Sequence, residues 1–384
     1  MAESRQAFAL IRIDRGLPAQ VLMILYVILA IANSLVDTQL PRRLLVLVGV
    51  ILLVYEALGF GSLKYEQYFL YVVGVWIAGA LTLNGVFFGE WVQESVYLPG
   101  NVGMALALCR GHISRRTTAL LFYGAALYFA YRLVTVGNPA AIHTILVTGS
   151  ANGISGLMIV LCGLHYAVIR QQGAPIRFFP SLVCLFVSAM TLGRSGLAAS
   201  TLLVMGVAVN DLSLERNTRR LALKLVSYGA IAVVAAILVL PRLDALSFIF
   251  ERFSEFGLGS DARDRIWASY GGTLDGMSAV TGHGREEIFA GFTNVHNSYI
   301  LWHKSMGLMA IPLYLLGALA LVRALMRDWM LFVLLATLLL RAFFDELILP
   351  FRLYDFYFLY LVCTALVTLP PRSHPSRFPR PAEA

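Results

Sequence analysis

Apolar runs of about 20 residues recur along the whole length of this chain, and they constrain its fold more than any other feature. VLMILYVILAIANSL, FLYVVGVWIAGALTLNGVFF and LLFYGAALYFA are three of them. A helix rises 1.5 Å per residue, so about 20 residues cross the roughly 30 Å hydrocarbon core of a bilayer. The 384 residues are 59% hydrophobic and 14% charged, with mean hydropathy +0.75. A soluble globule carries about 25% charged residues and could not solvate this much apolar surface. The reading is an all-α integral membrane protein. Cys109, Cys162, Cys184 and Cys363 lie inside the apolar runs without close spacing and read as small packing residues. Residues 1–16 are basic and polar with no small-residue cleavage site after them, so no signal peptide is expected.

Twelve candidate transmembrane spans follow, at about 17–36, 42–60, 66–88, 95–110, 117–136, 151–169, 176–193, 195–212, 221–240, 297–322, 329–348 and 352–369. With the N-terminus in the cytoplasm, one side receives Arg12, Arg15, Lys64, Arg110, Arg115, Arg116, Arg170, Arg219, Arg220, Lys224, Arg323 and Arg327. The other side is poorer in Lys and Arg and holds Glu90, Glu94 and one long insert at about 241–296. This asymmetry is the positive-inside pattern, and it places both termini in the cytoplasm and the insert outside. The net charge of +8 follows from the same bias and does not call for nucleic acid. The Pro-rich basic tail at 370–384 is expected to be disordered against anionic headgroups. No internal repeat is visible, and one polytopic domain accounts for the chain.

The polar exception is Ser260 to Gly307, SDARDRIWASYGGTLDGMSAVTGHGREEIFAGFTNVHNSYILWHKSMG. Ser260 can cap a helix starting at Asp261. In that helix Ile266, Trp267, Tyr270 and Leu274 form an apolar stripe, with Arg263 on the stripe and Arg265 to one side. A guanidinium on an apolar face needs an anionic partner, because an unpaired buried charge is costly. The partner is either a carboxylate, such as Asp261 or Asp264, or a bound phosphate or diphosphate. Gly282-His283-Gly284 marks a tight turn beneath the site. His296 and Asn297 then open a span, with His303 two turns further on roughly the same face. His296 is either an interfacial polar residue or a general base, since an imidazole can accept a proton at neutral pH.

More arginines gather on that side. Arg194 falls at the outer end of its span, Arg132 in the outer part of another, and Arg341 in the outer half of the eleventh, where Asp345 and Glu346 could pair with it. Ionisable residues within spans are expensive and point to function, and a guanidinium forks onto phosphate oxygens. The catalytic candidates are therefore His296, Arg263 and Arg194. The substrate-binding candidates are Arg265, Asn297, Gly282, Gly284, Arg341 and His303. The sequence has no Walker A loop, no His-Glu-x-x-His and no compact carboxylate cluster, so neither a metal nor a cofactor is expected.

TLGRSGLAA, then ARDRIW, TGHG and HNSYIL followed by Gly307, in that order with one long external loop before the last spans, resembles the O-antigen ligase and polymerase superfamily over roughly residues 150–320. The resemblance implies a membrane-embedded, all-helical glycosyltransferase of the bacterial inner membrane. It would move glycan from undecaprenyl diphosphate to an acceptor sugar at the periplasmic face, with inversion and without metal. Arg194 matches the arginine of the family's Ser-Arg-type motif, although the order here is Gly-Arg-Ser. Arg263 and Trp267 match its R-x-x-[IL]-W pattern, and His296 and Asn297 its His-Asn. The implied roles are His296 as base toward the acceptor hydroxyl and the arginines on the diphosphate leaving group. Ligase and polymerase differ in acceptor, a lipid A core sugar or another lipid-linked repeat unit. Both stay open, with a repeat-unit polymerase or related exopolysaccharide enzyme preferred. The competing reading is a secondary transporter of an anionic solute, against which stand the lack of an inverted repeat and the collection of polar residues at one face.

Overall fold

A computed structural model describes residues 16–36, 38–58, 64–89, 93–136, 145–146, 151–191, 193–215, 217–239, 261–284, 287–292, 295–348 and 354–368. Among them the regular elements are all helices, with one isolated bridge between Phe289 and Phe292 and no strand. In chain order the helices are α1 (Gly16–Leu35), α2 (Gln39–Leu58), α3 (Tyr65–Phe88), α4 (Leu98–Cys109), α5 (Arg115–Val136), α6 (Ala151–Gln171), α7 (Phe179–Met190), α8 (Arg194–Ser213) and α9 (Thr218–Val239). The insert contributes α10 (Asp261–Gly272) and α11 (Gly276–Thr281). Then come α12 (Ser298–Met306), α13 (Ile311–Arg327), α14 (Trp329–Phe343) and α15 (Asp355–Cys363), the last running into a π turn at Thr364–Thr368. Six segments are long and apolar enough to cross a membrane: α1, α3, α5, α6, α8, and α12 with α13 taken together.

Local chemistry explains the ends. Gly89 closes α3 in a left-handed conformation, its N–H returning to Gly85. Prolines stand in the first turns of α4, α7 and α13, where a missing N–H costs nothing. Asp328 caps α14 by accepting from the N–H of Leu331.

A helix that is apolar all round must be surrounded by protein or lipid. The apolar window of α6 is 89% buried, against 28–44% for the other five candidate spans, so α6 lies at the centre. Residues 100–108 of α4 and all of α15 are buried as well. α2 packs on α4 and α1, α5 and α7 on α6, and α14 on α8 and α6. The outer helices turn Val72, Val75, Leu127 and Val134 outward, where a soluble protein would place polar side chains.

The tenth expected span is not one continuous helix. It breaks at Gly307, where φ is +54° and a side chain would meet the carbonyl oxygen of Val280 at 2.0 Å. The insert's own backbone presses on the helix there, and a 3₁₀ turn at Gly307–Ala310 leads into α13. Ser260, the rest of the insert before residue 261, and the tail at 370–384 lie outside the described residues.

Candidate active site

α10 is fastened by a small core of its own. Ile266 and Tyr270 are buried with Phe289 and Val295, and Trp267, Ile300 and Leu301 pack against them. The indole N–H of Trp267 donates to the carbonyl of Val295 at 2.9 Å, tying α10 to the residue before His296. The expected stripe ends sooner than its spacing suggested: the helix stops at Gly272, and Leu274 is exposed. Arg263 is half-buried on the packed side of α10, and Arg265 is exposed.

Arg341, at the end of α14, is completely buried. Its Nη2 donates to the carbonyl of Asn152 and to Oδ2 of Asp345, both at 2.9 Å. Its Nε and Nη1 are also buried and have no acceptor among the described residues. Each such donor forfeits about 1–3 kcal/mol of hydration. Arg263 feels the charges of Asp345, Arg341 and Arg194. Burial depresses its affinity for the proton, Asp345 works against that, and the two neighbouring arginines add to it. Since a guanidinium keeps its proton, the depression measures like charges crowded in a poorly solvated place.

Asp345 is the common neighbour. Burial pushes its carboxyl up, but the charge and hydrogen bond of Arg341, the N–H of Glu346 and the charge of His296 outweigh this and hold it below the usual carboxylate range. Arg263, Arg341 and His296 are thus brought to one end of the bundle around one carboxylate, with the charge of Arg194 acting on Arg263. Arg194 is the first residue of α8, where the positive end of the helix dipole disfavours a cation and favours an anion beside it. Arg132 stands on α5, its Nε buried and without an acceptor among the described residues.

His296 has φ +49°, a left-handed conformation that costs a residue with a Cβ about 1–2 kcal/mol. Its neighbours hold it there. Val295 N–H donates to Oε1 of Glu346 at 2.8 Å, and the Ser298 hydroxyl donates to the Asp345 carbonyl at 2.9 Å. The N–H groups of Leu347 and Ile348 donate back to that hydroxyl. Asn297 is 3% exposed, and its carboxamide oxygen accepts from the N–H of Tyr299 and Ile300 as the N-cap of α12. The structure therefore gives Asn297 the work of starting the helix that follows His296. The sequence offered Glu346 only as a partner for Arg341 and gave no signal for Ser298 or Asn152, because these contacts are 47 to 189 residues away.

His303 does not share a face with His296, since His296 precedes the helix in a left-handed turn. The Nε2–H of His303 donates to the Ala279 carbonyl at 2.9 Å, and its Nδ1 accepts from the Tyr270 hydroxyl at 2.5 Å. Both nitrogens are engaged away from the arginines. His283 is buried between the Glu287 carboxylate at 2.9 Å and the Thr273 hydroxyl at 3.3 Å. Gly282 has φ +81°, and a Cβ there would meet the carbonyls of His303 and Lys304 at 2.5 Å. Gly284 is buried in the same turn. The Gly-His-Gly turn thus seats the insert on α12, with the His283 N–H donating to the Lys304 carbonyl at 2.8 Å.

Among the described residues no group of three or more His, Cys, Asp or Glu is placed to hold a metal ion. The local cations are the arginines themselves. The chain matches no protein-family model, no curated protein and no solved structure.

Proposed function

We propose that this chain is a membrane glycosyltransferase that transfers or polymerises glycan from an undecaprenyl-diphosphate-linked donor onto an acceptor sugar, as its resemblance to the O-antigen ligase and polymerase superfamily implies. The observation that carries this reading is Arg341, whose Nε and Nη1 are buried with no acceptor among the described residues, while its charge and that of Arg194 act on Arg263. An anion with several oxygens, admitted at the end of the helical bundle, would satisfy those donors and relieve the crowding of like charge. A diphosphate on a lipid anchor is such an anion, and the bundle end is where it would be presented. In this reading twelve helices cross the bacterial inner membrane, both termini are cytoplasmic and the arginine end is periplasmic.

The chemistry follows from the placement. His296 takes the proton of the acceptor hydroxyl as its oxygen attacks the anomeric carbon, and Asp345 nearby stabilises the resulting imidazolium. The new C–O bond forms as the bond from that carbon to the diphosphate breaks, inverting the anomeric centre. The leaving diphosphate keeps the electron pair, and Arg194, Arg263 and Arg341 face the charge that develops on it. In this reading Arg265, exposed on α10, would meet a donor or acceptor approaching from outside.

The test is reconstitution of the purified full-length chain with lipid-diphosphate-linked glycan and acceptor, with lipid-linked glycans of cells lacking the gene analysed in parallel. Transfer that persists in excess chelator supports the arginine account. Activity lost with chelator and restored by Mg²⁺ would replace it, and unchanged lipid-linked glycans in the deleted cells would remove the reading altogether.

A further inference from the structure

The insert exposes a set of large apolar side chains that the proposed chemistry does not use. Met277 and Val280, one turn apart on α11, are 63% and 52% exposed. Ile288 and Phe292, in the turn that follows the Gly-His-Gly segment, are 62% and 46% exposed. A polar loop standing in water would not hold four such groups uncovered.

Hydrogen bonds to α3 fix the depth of this surface. The Asn84 side chain donates to the Thr281 carbonyl, the last residue of α11, at 3.0 Å. Asn84 stands four residues before the end of α3, about 6 Å down its axis at 1.5 Å per residue. The Trp76 indole donates to the Met309 carbonyl at 2.9 Å, twelve residues or about 18 Å below the same end. α3 has 24 residues, about 36 Å, and its last turn carries Val86 and Phe87 uncovered. α11 and the break at Gly307 therefore lie beside α3 below its end, at levels where that helix also carries exposed apolar side chains.

The polar groups behind this face are met from within the protein. Lys304 is 2% exposed, and its Nζ donates to the Glu287 carbonyl at 3.0 Å and lies over the Phe289 ring at 5.1 Å. Phe289 and Phe292 exchange both backbone hydrogen bonds, and His283 is closed by Lys304, Glu287 and Thr273. Irregular backbone is tolerated at membrane depth only when its polar groups are satisfied by protein.

We propose that α11 and the turn at 287–292 form a re-entrant wedge sunk into the leaflet at the arginine end, with Met277, Val280, Ile288 and Phe292 against lipid acyl chains. The wedge would set the height of His296 and Arg263 relative to the membrane, because α10 and α12 are joined to it through Tyr270, His283 and His303. This inference rests on the membrane character of α3 and is independent of the glycan chemistry.

The experiment places a nitroxide on the full-length chain at Met277→Cys, Val280→Cys and Ile288→Cys, in phospholipid nanodiscs. Asn217→Cys, in an exposed interhelical turn, serves as the water reference, and the unsubstituted chain treated identically gives the background. Oxygen, which concentrates in hydrocarbon, should relax the three insert labels several-fold more than a water-soluble nickel chelate does, with the order reversed at position 217. Nickel dominance at 277 and 280 would show these side chains in water and overturn the wedge. Labels there that neither reagent reaches would show them covered by protein and overturn it equally.

Discussion

Arg341 joins stability to chemistry in one side chain, and the two can be separated by substitution. Arg341→Gln leaves the Asp345 carboxylate without its cation, and breaking a buried pair from one side costs about 3–5 kcal/mol, so the abundance of the folded chain should fall. Arg341→Lys keeps a charge for Asp345 but loses the Nε and Nη1 edges. That variant should reach the membrane at near-normal level and bind lipid-diphosphate donor at least tenfold more weakly, and Arg263→Lys should behave alike. Normal donor binding by both would mean the guanidinium edges face no ligand. His296 offers a different separation. His296→Ala should leave donor binding intact while transfer falls by about 10²–10⁴-fold, the usual worth of a general base. His296→Gly should lose as much transfer yet unfold at a higher temperature than His296→Ala, because glycine accepts the +49° φ without strain. If His296→Ala transfers at the wild-type rate, the imidazole has no part in the reaction.

Asp345 gives the residue scale its pH dependence. Its carboxyl is held below the ordinary range, so its contribution to stability is fully present above the unfolded value and disappears as pH falls through the lowered one. The difference in melting temperature between wild type and Asp345→Asn should stay constant from neutral pH to about pH 5 and shrink below about pH 4, near the unfolded aspartate value. A difference that shrinks between pH 7 and pH 6 would show that another group governs it. Arg194, Arg263, Arg341 and His296 stood out in the sequence because charge among apolar residues is conspicuous. Asn297, His303 and Gly282 looked equally functional there. Asn297 caps the helix that follows it, while His303 bonds to Tyr270 and Ala279, and Gly282 lies against the carbonyls of His303 and Lys304, partners that spacing along the chain does not reveal.

At the scale of elements, hydropathy located the helices well because a helix in lipid must be apolar over a fixed length. It did not reveal the break in SYILWHKSMGLMAIPLYLL, because hydropathy runs on across Gly307 and Pro312, which stand where α12 stops and α13 begins. The cause is tertiary: Gly307 and Gly282 both hold backbone conformations that glycine alone adopts easily, and each meets a carbonyl from across the insert–helix junction. Gly307→Ala should therefore cost about 2 kcal/mol or more from backbone strain and contact with Val280. The measurement is thermal unfolding in detergent, together with proteolysis of the insert. A melting temperature equal to wild type would show that the junction relaxes freely and does not hold α11 in place.

Taken whole, the two ends of the bundle treat charge differently. At one end the carboxylates are closed by cations: Arg110 and His112 on Glu56 at 2.8 and 2.9 Å, Arg170 on Asp328 at 2.6 Å, and Lys224 on Asp211 and Glu215 at 3.0 and 3.2 Å. At the other end Arg341 keeps two buried donors, Nε and Nη1, with no acceptor among the described residues, against the single Nε of Arg323 at the first end, and the charges of Arg341 and Arg194 both act on Arg263. In the proposed topology the basic loops belong with the first end and a site for a lipid-borne anion with the second. Loop counts in the sequence propose this polarity, while the ion pairs of one end and the two unmet donors of Arg341 at the other needed the packed helices. The expectation is that a phosphatase reporter fused after Gly89 is active and a fluorescent-protein reporter there is dark, because α3 ends on the arginine side. Fused after Ala174, beyond α6, the fluorescent protein should be bright and the phosphatase inactive. The opposite pair of outcomes would put the arginines in the cytoplasm, where a nucleotide-activated donor would be available and a lipid diphosphate would no longer be the favoured anion.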